Sequence, residues 1–588
     1  MSVVQTALHA IEVGKARAVI YLLPLLAAVF VVALLYDFRI YRGLNDAQSM
    51  DNAQLARQIV QGAGFTTKFL RPYAVVQLHN HTAKNTGSLF PVDRFPAGTP
   101  RILPDTYNAP GYPYLLAGWF RLVHTPFKTS TTQYSLYSGD APIPWLNQIF
   151  IVLTAFLVFG LGYFLFDDRV AWIALLAFLV SDIIWQYSIT ALSTNFLMFL
   201  VTALLFILLK IFDVAEAHFD RDEPFWPAWV WTILLSLLLV GICLTRLHLL
   251  VLLIPILIFL ALIPRTNYFL LPLVTLVVIG LVAPWFMHIN AICGNPLGSN
   301  LPQLLYDTNG YKGNQVYCLT TIPSYEQIFK ELGMKEALGF RWQFEHAWEL
   351  LGSNPMLILF GACLLHRFKQ GRANFLFWFI IGSAVCIAIA NNLGVTQPKT
   401  IDPWNTLVVL FPGMIVLGTA LFIILIDRLD LQLWHLNNLV IIVVLAFSSL
   451  PLGLSLLSAN RGSYSYPPYF PPGITQISKW VHPDEWITSD MPWATAWYGD
   501  RASLWLPDSI KDFTNLHDNY CPTGILLLTP ITFDAPISNV ISGEYTDWYP
   551  LLFAPSLPPG FPLIAHVSFA SSGFAYYVYS DTERWNQH

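Results

Sequence analysis

Long apolar segments recur along most of this chain and constrain its fold more than any other feature. A membrane-spanning helix needs roughly 20 consecutive, largely apolar residues. Segments of this character lie at 19–36, 144–166, 171–188, 191–212, 226–244, 247–263, 268–290, 354–366, 374–391, 404–426 and 438–457. The sequence therefore predicts a polytopic α-helical membrane protein with about eleven transmembrane helices.

Composition excludes several other classes of protein. Charged residues make up 11% of the 588 residues and hydrophobic residues 55%, whereas a soluble domain carries about 25% charged residues. The chain is therefore neither disordered nor an ordinary cytosolic enzyme. Its formal net charge of -5 provides no basic surface for nucleic acid, so membrane lipid is an expected partner and nucleic acid is not.

The distribution of Lys and Arg predicts the orientation of the helices. Lys15 and Arg17 precede the first apolar segment, which no small-residue cleavage site follows, so it is typical of an uncleaved signal anchor with its N-terminus inside. Segment 110–124 is shorter than a membrane span. If it does not cross, nearly all of the compact basic loops between spans, including 366–372, lie inside, as the positive-inside rule requires. We therefore expect an interfacial helix at 110–124 and a multi-pass protein of the cytoplasmic (inner) membrane.

This topology places two large loops, 37–142 and 291–353, and the C-terminal segment 459–588 on the outer side. The C-terminal segment is long enough for a domain. Short apolar runs in it alternate with helical stretches, which predicts a soluble α/β domain after a transmembrane domain at 1–458. Two of the six cysteines, Cys293 and Cys318, share one outer loop and are candidates for a disulfide bond.

Ionisable residues are unusually dense in the first outer loop, next to the membrane. The apolar positions of 50–60 are spaced as in a helix that lies on a surface. Asp46 and Asp51 lie at or near its N-terminal end, where the helix dipole favours a carboxylate. They are either capping residues or, because they lie at the membrane surface, candidates for a catalytic base.

Three stretches resemble the GT-C glycosyltransferases, and within them the protein-O-mannosyltransferase and aminoarabinose-transferase branch, often called family 39. A carboxylate after the first span is followed by ARQIVQGAG (56–64), which is similar to that family's first outer loop. The stretch DTYNAPGYPYLLA (105–117) is similar to its D-x-x-H-P-P-L-x-P-x-L-L-A segment, and APWFMHIN through GNP (283–296) is similar to its P-W-x-x-R-N…G-N-P segment. The three stretches in this order indicate the family more specifically than any single stretch does.

The chain departs from the family at several positions. The family's adjacent Asp-Glu pair is represented by Asp46 and Asp51, its His before Pro-Pro is Asn108, and its Arg before Asn is Ile289. Asn195 stands where an acidic residue often begins the span at 191–212. These departures leave a second hypothesis open, a non-catalytic scaffold or assembly subunit of a membrane complex. A transporter is disfavoured because the spans hold almost no acidic residues that would relay protons.

The resemblance implies an inverting integral membrane glycosyltransferase. It would move a sugar from a polyprenyl-phosphate donor to a glycan, lipid or protein acceptor on the outer face of the membrane. One carboxylate would take the proton of the acceptor, with Asp51 as the first candidate and Asp46 as the second. The resemblance implies no cofactor and no metal ligands, and it does not settle whether a divalent metal takes part.

The leaving lipid phosphate would need fixed cations. Arg246 lies where one predicted span ends and the next begins, on the outer side, and is the first candidate; its alternative role is contact with lipid headgroups. Lys68 and Arg71 are alternatives, and Arg341 is a weaker one. Tyr107 and Asn108, from the second family-like stretch, complete the predicted substrate-binding residues.

Overall fold

The N-terminal part of the chain forms one long helix followed by a loop with its own helices and strands. The structure, a computed structural model, describes residues 16–86, 103–128, 136–221, 224–263, 269–308, 311, 315–321, 325–429, 434–458, 469–520, 522–529, 537–542, 546–553, 557–571 and 574–586. Helix α1 (Ala16–Arg39) precedes α2 (Ala47–Val60), β1 (Thr66–Thr67), β2 (Phe69–Leu70), α3 (Pro72–Thr86), β3 (Leu103–Pro104) and α4 (Gly111–Leu122). The helices predicted at 50–60 and 110–124 are confirmed as α2 and α4.

Apolar helices make up the middle of the chain. They are α5 (Ile143–Leu165), α6 (Asp168–Leu179), α7 (Asp182–Ser188), α8 (Thr194–Arg221), α9 (Trp226–Thr245), α10 (Leu253–Leu262) and α11 (Leu270–Cys293). A second loop contains α12 (Gln315–Cys318), α13 (Tyr325–Glu345) and α14 (Ala347–Leu350), and α15 (Pro355–Ala362), α16 (Gly371–Asn392), α17 (Phe411–Arg428), α18 (Trp434–Ser448) and α19 (Leu450–Ser458) follow.

These helices define a multi-pass membrane protein. Among the described residues, six helices are long and apolar enough to cross a membrane, and two bent pairs, α6 with α7 and α18 with α19, raise the number to eight if each pair is one span. Shorter apolar helices occupy Leu247–Leu262 and Pro355–Leu365, and α1 covers the first predicted segment. All eleven predicted segments are thus helical, while the number of crossings and their orientation stay predictions.

The C-terminal part is an α/β unit, as predicted. Its elements are α20 (Pro471–Lys479), β4 (Trp486–Ser489), α21 (Pro492–Tyr498), β5 (Ser503–Trp505), α22 (Ile510–Asn519), β6 (Thr523–Leu528), α23 (Ile537–Ser542), α24 (Tyr549–Phe553), β7 (Ala565–Ser571) and β8 (Phe574–Ser580). The sheet has the order β2-β5-β4-β6-β8-β7. Strands β4, β5 and β6 are parallel and separated by helices, as parallel strands require. Strand β8 runs antiparallel to β6 and forms a hairpin with the edge strand β7.

One edge strand of this sheet, β2, belongs to the loop 37–142 rather than to the C-terminal segment. β2 runs parallel to β5, with Phe69 opposite Ser503 and Leu70 opposite Leu504. The predicted boundary at 458 separates the apolar helices from the C-terminal segment in the sequence. In space, however, the C-terminal sheet includes a strand from the loop that carries Asp51.

A buried arginine fixes the same junction. Arg57 of α2 is 1% exposed and donates to the carbonyl oxygens of Ala496 and Trp497, each at 2.7 Å. It also forms an ion pair with Asp500 at 2.8 Å, and Lys68 binds the same carboxylate at 2.7 Å. These bonds join α2 and the residue before β2 to the C-terminal unit.

The candidate disulfide between Cys293 and Cys318 is not formed. Cys293 lies in the last turn of α11, where its Sγ contacts the carbonyl oxygens of Ile289 and Asn295 at 3.2 and 3.3 Å. Cys318 ends α12, and its carbonyl accepts a hydrogen bond from the backbone of Asp508 in the C-terminal unit. The two cysteines share a loop in sequence but are held by different parts of the fold.

Candidate functional site

A cavity of about 360 Å³ lies between α2, α4, the junction of α9 with α10, and the turn at 297–304. Its polar lining includes five amide side chains, from Gln48, Asn52, Asn108, Asn300 and Gln303. Its apolar lining includes Leu247, Leu250, Phe286, Leu297, Leu301, Leu304 and Leu393. Of the described residues that line the cavity, Arg246 is the only one that belongs to the four types Lys, Arg, Asp and Glu. The cavity thus joins an amide-rich wall, a single cation and an apolar side.

Arg246 is presented to the cavity by a break between two helices. Helix α9 ends at Thr245, and the backbone of Arg246 is extended, with φ -144° and ψ 104°. Its Nε donates to Ser193 Oγ at 3.1 Å. Asp46 and Asp402 act on it electrostatically, yet within the described part of the chain no carboxylate lies within 4.0 Å of its nitrogens. Arg246 is half-buried, and among the described residues no carboxylate forms a direct ion pair with its guanidinium.

Asp51 is fully buried in α2 and does not line the cavity. Its Oδ2 accepts hydrogen bonds from Arg71 Nη2 at 3.0 Å and from Asn108 Nδ2 at 2.9 Å. Its Oδ1 accepts one from Gln54 Nε2 at 3.0 Å. Because Asn108 itself lines the cavity, its side chain stands between the cavity and the carboxylate predicted to be the base.

Asp46 has the capping role that its position indicates. It is the N-cap of α2, and its Oδ1 accepts the backbone N–H of Ser49 at 2.7 Å. Its Oδ2 is buried and has no hydrogen-bond partner among the described residues. Burial raises the pKa of Asp46, and the nearby charge of Asp402 adds to that rise. One carboxylate oxygen of Asp46 is therefore unengaged, whereas both oxygens of Asp51 are engaged.

The predicted cations occupy different environments. Arg71 follows β2 and is paired with Asp51, and its guanidinium stacks on the ring of Tyr107 at 3.5 Å and on that of Phe69 at 4.2 Å from the ring centroids. Lys68 is paired with Asp500, and burial lowers its pKa. Neither residue lines the cavity. Of the three main candidates, Arg246 alone combines access to the cavity with an unneutralised charge.

Arg341, the weaker candidate, lies away from the cavity lining. It belongs to α13, its side chain is 76% exposed, and it pairs with Glu345 one turn along the helix. Surface pairs of this kind contribute little to stability, and nothing links Arg341 to the cavity.

A tight turn positions Tyr107 and Asn108. The carboxylate of Asp105 accepts the backbone N–H groups of Tyr107 at 3.2 Å and of Asn108 at 3.0 Å. Burial, together with the nearby charge of Asp51, raises the pKa of Asp105 to about 6. The side chains of Tyr107 and Asn108 both line the cavity, so the structure brings this predicted pair together with Arg246.

Several lining residues were missed from the sequence. His248 stacks on Trp404 with ring centroids 5.0 Å apart, and both line the cavity with Gln48, Asn52, Asn300 and Gln303. His248 lies two residues after Arg246 at the same helix junction, and this position could have marked it in the sequence as a candidate site residue. Among the described residues, no group of three or more His, Cys, Asp or Glu side chains is arranged to hold a metal ion.

Comparison with solved structures identifies the class of fold. The chain superposes on the archaeal oligosaccharyltransferase AglB from Archaeoglobus fulgidus, solved with an inhibitory peptide and a dolichol-phosphate, with a TM-score of 0.53 and 11% identity over 95% of this chain and 74% of that one. It also superposes on ArnT from Cupriavidus metallidurans. The TM-score is 0.52 at 13% identity for the apo state and 0.50 at 12% identity for the form bound to undecaprenyl phosphate, each over 96% of this chain and 98% of that one.

Both neighbours are GT-C membrane glycosyltransferases, and the chain has the GT-C fold that its sequence resembles. No protein-family model matches the sequence, and no curated protein is similar to it. At 11–13% identity the likeness establishes the fold and not the reaction.

Proposed function

We propose that this protein is an integral membrane glycosyltransferase that uses a polyprenyl-phosphate sugar as its donor. The observation that carries the proposal is Arg246, the single cation of the cavity, which has no direct counter-ion among the described residues. A guanidinium holds two phosphate oxygens at once. The five amides of the lining provide donors and acceptors for sugar hydroxyls, and the leucines beside them suit the polyprenyl chain.

The two neighbours support the class of donor. AglB was solved with a dolichol-phosphate and ArnT with undecaprenyl phosphate, so two proteins of this fold bind a polyprenyl phosphate. AglB was also solved with an inhibitory peptide. For the chain described here, we propose a lipid-linked sugar donor and leave the acceptor as a glycan, a lipid or a protein.

The proposed reaction needs one base and no cofactor. The acceptor's oxygen attacks the anomeric carbon of the sugar, the bond from that carbon to the phosphate oxygen breaks, and the phosphate stays on the polyprenol. Attack from the face opposite the phosphate inverts the anomeric centre. A carboxylate takes the acceptor's proton, and Arg246 stabilises the charge that develops on the leaving phosphate.

Asp51 and Asp46 are the two candidates for the base. An acceptor reaches Asp51 Oδ2 only if the side chain of Asn108, which donates to it at 2.9 Å, moves aside. Asp46 Oδ2 has no such bond to break within the described part of the chain, but its other oxygen is committed to capping α2. We propose Asp51 as the base, because Asn108 connects it directly to the cavity, and retain Asp46 as the alternative.

The closed environment of Asp51 also favours a second candidate function. If Asn108 never releases the carboxylate, the protein is a non-catalytic scaffold that binds a polyprenyl phosphate without transferring a sugar. The two functions make different predictions. Both require Arg246, but only the enzyme requires a base.

The proposed site of the reaction is the outer face of the cytoplasmic membrane, as the distribution of Lys and Arg predicts. Mass spectrometry of glycans and lipids in a strain that lacks the protein tests the function. We expect one sugar to be missing from one acceptor, restored by the wild-type protein and not by the Asp51→Asn or Arg246→Ala variant. Restoration by Asp51→Asn but not by Arg246→Ala favours the scaffold. Unchanged glycans and lipids in the deletion strain contradict the enzyme.

A further inference from the structure

The second predicted outer loop contains a helix that buries polar side chains and exposes apolar ones. Helix α13 (Tyr325–Glu345) buries Lys335 and Gln343, each 2% exposed. Its other side carries the exposed pair Arg341 and Glu345 together with large apolar residues that are 41–79% exposed, namely Phe329, Met334, Leu338, Phe340 and Phe344. A helix in water has the opposite arrangement, with apolar residues inside. An exposed apolar face of this size fits lipid, as in helices that lie in a membrane surface.

The buried Lys335 joins two segments of the cavity wall. Its Nζ donates to the carbonyl oxygens of Gln303 and Leu304, both at 3.2 Å. It also lies 3.3 Å from the carbonyl of Leu393 and 3.0 Å from that of Gly394, just after α16. Gln303, Leu304 and Leu393 all line the cavity. The lysine thus holds the turn at 298–305 and the end of α16 together.

Gln343 reaches the cavity through a chain of hydrogen bonds. Asn391 Nδ2 donates to Gln343 Oε1 at 3.1 Å, and Thr406 Oγ1 donates to Asn391 Oδ1 at 2.5 Å. His248 Nε2 lies 3.3 Å from Thr406 Oγ1, and the ring of His248 lines the cavity beside Arg246. These buried groups satisfy one another, so the loss of one leaves its neighbour unpaired.

A glycine lets α13 approach α16 closely enough for these contacts. Lys335, Gly339 and Gln343 are four residues apart and therefore share one helix face. A Cβ atom at Gly339 would collide with the side-chain amide of Asn392. The polar face of α13 is therefore fitted to α16 at three successive turns.

We propose that α13 lies in the membrane surface with lipid on its apolar side, and that Lys335 and Gln343 are positioning residues for the cavity wall. Lipid is the occupant because the apolar side of α13 continues onto the membrane helices. A groove of about 350 Å³ is lined by Phe344 and Trp348 together with Ile358 of α15 and Val385 of α16, and those last two are 63% and 43% exposed. The positioning role rests on the proposed function, which makes this cavity the donor site.

Photocrosslinking tests the lipid contact. The protein is placed in vesicles of phosphatidylethanolamine and phosphatidylglycerol with benzoylphenylalanine in place of Phe344, and, as the control, in place of the exposed Asn515 on α22. We expect lipid adducts from position 344 and none from position 515. An adduct with another protein at position 344, or the absence of lipid adducts there, overturns the lipid contact.

Two measurements test the positioning role in Lys335→Met and Gln343→Leu, with the exposed Glu345→Gln on the same helix as the control. The first is hydrogen–deuterium exchange of residues 298–305, which needs no ligand. The second is the affinity for a short-chain polyprenyl phosphate. We expect faster exchange in Lys335→Met and an affinity at least about tenfold lower in both variants, with the control unchanged.

A folded Lys335→Met protein with wild-type exchange and affinity contradicts the proposal. If that variant does not fold, Gly339→Ala displaces the same helix face without removing a polar group and takes its place. A wild-type protein that binds no polyprenyl phosphate refutes the proposed function, and the exchange measurement then decides the positioning role by itself.

Discussion

Arg71 Nη2 lies 3.0 Å from Asp51 Oδ2, so two residues that the sequence offers for separate roles form one buried ion pair. Arg71 directly follows β2, the strand that the first loop contributes to the C-terminal sheet. The position of the proposed base therefore depends on the C-terminal unit through β2 and Arg71, in addition to the bonds that Arg57 of α2 makes to that unit.

This pair determines what substitution of Asp51 will do. We expect Asp51→Asn to lower transfer by about 10²–10⁴, the usual loss when general-base help is removed. We also expect reduced stability, because Arg71 loses its counter-ion in a buried site, which costs roughly 3–5 kcal/mol. Initial rates and thermal unfolding midpoints of the purified variant measure the two effects.

A double variant separates the two effects. In Asp51→Asn with Arg71→Met, neither partner of the ion pair is left charged, so part of the stability should recover while transfer stays lost. Normal transfer by Asp51→Asn, together with an inactive Asp46→Asn protein, moves the base to Asp46. Normal transfer by both single variants rejects the assignment of either carboxylate.

A second buried carboxylate makes stability depend on pH. Asp140 is 1% exposed and accepts hydrogen bonds from Trp497 Nε1 at 2.8 Å and from Tyr498 Oη at 3.0 Å. Burial raises its pKa from 3.8 to about 7. A carboxyl group with a raised folded-state pKa favours the folded state most at low pH, and that contribution falls as the pH rises from about 4 to about 7.

We therefore expect the thermal midpoint of the wild-type protein to fall across that interval and to level off above it. Asp140→Asn, which cannot ionise, should show a flatter profile between pH 5 and pH 8. Parallel profiles for the wild type and the variant would show that Asp140 does not titrate in this range.

The orientation predicted from Lys and Arg is open to a direct chemical test. A single cysteine at Gly371, at the exposed start of α16, is placed in a variant without the native cysteines. We expect it to react with a membrane-impermeant maleimide only after the inner side is opened. Labelling of intact cells from the outside would invert the topology and move the cavity to the cytoplasmic side.

The sequence predicts the parts of this fold that depend on local composition. Apolar runs such as 404–426 identify buried helices because lipid and protein interiors both demand apolar side chains. The alternation at 485–529 similarly predicts the parallel strands of the C-terminal unit. The strand Phe69–Leu70 has no such signal, since two residues carry no periodicity and its pairing with β5 is a contact across more than 400 residues.

The site divides in the same way. Arg246, Tyr107 and Asn108 were identified because a family-like motif or a helix junction marks them. The pairing of Asp51 with Arg71, and of Lys68 with Asp500, depends on distances in space that residue spacing does not encode. Lys335 donates to the carbonyl of Gln303 and Asn300 donates to the carbonyl of Tyr107, and an isolated amide in a loop gives no indication of such contacts.

Binding of a short-chain polyprenyl phosphate to the purified protein tests the central claim most directly. We expect the wild type to bind it, Arg246→Lys to bind more weakly because an ammonium lacks the planar fork that matches two oxygens of one phosphate, and Arg246→Ala to lose about ten- to a hundredfold in affinity, as expected for a hydrogen bond to a charged group. Titration by calorimetry or native mass spectrometry measures all three. Equal affinity in the three proteins, or no binding by the wild type, would contradict the assignment of this cavity as a polyprenyl-phosphate site.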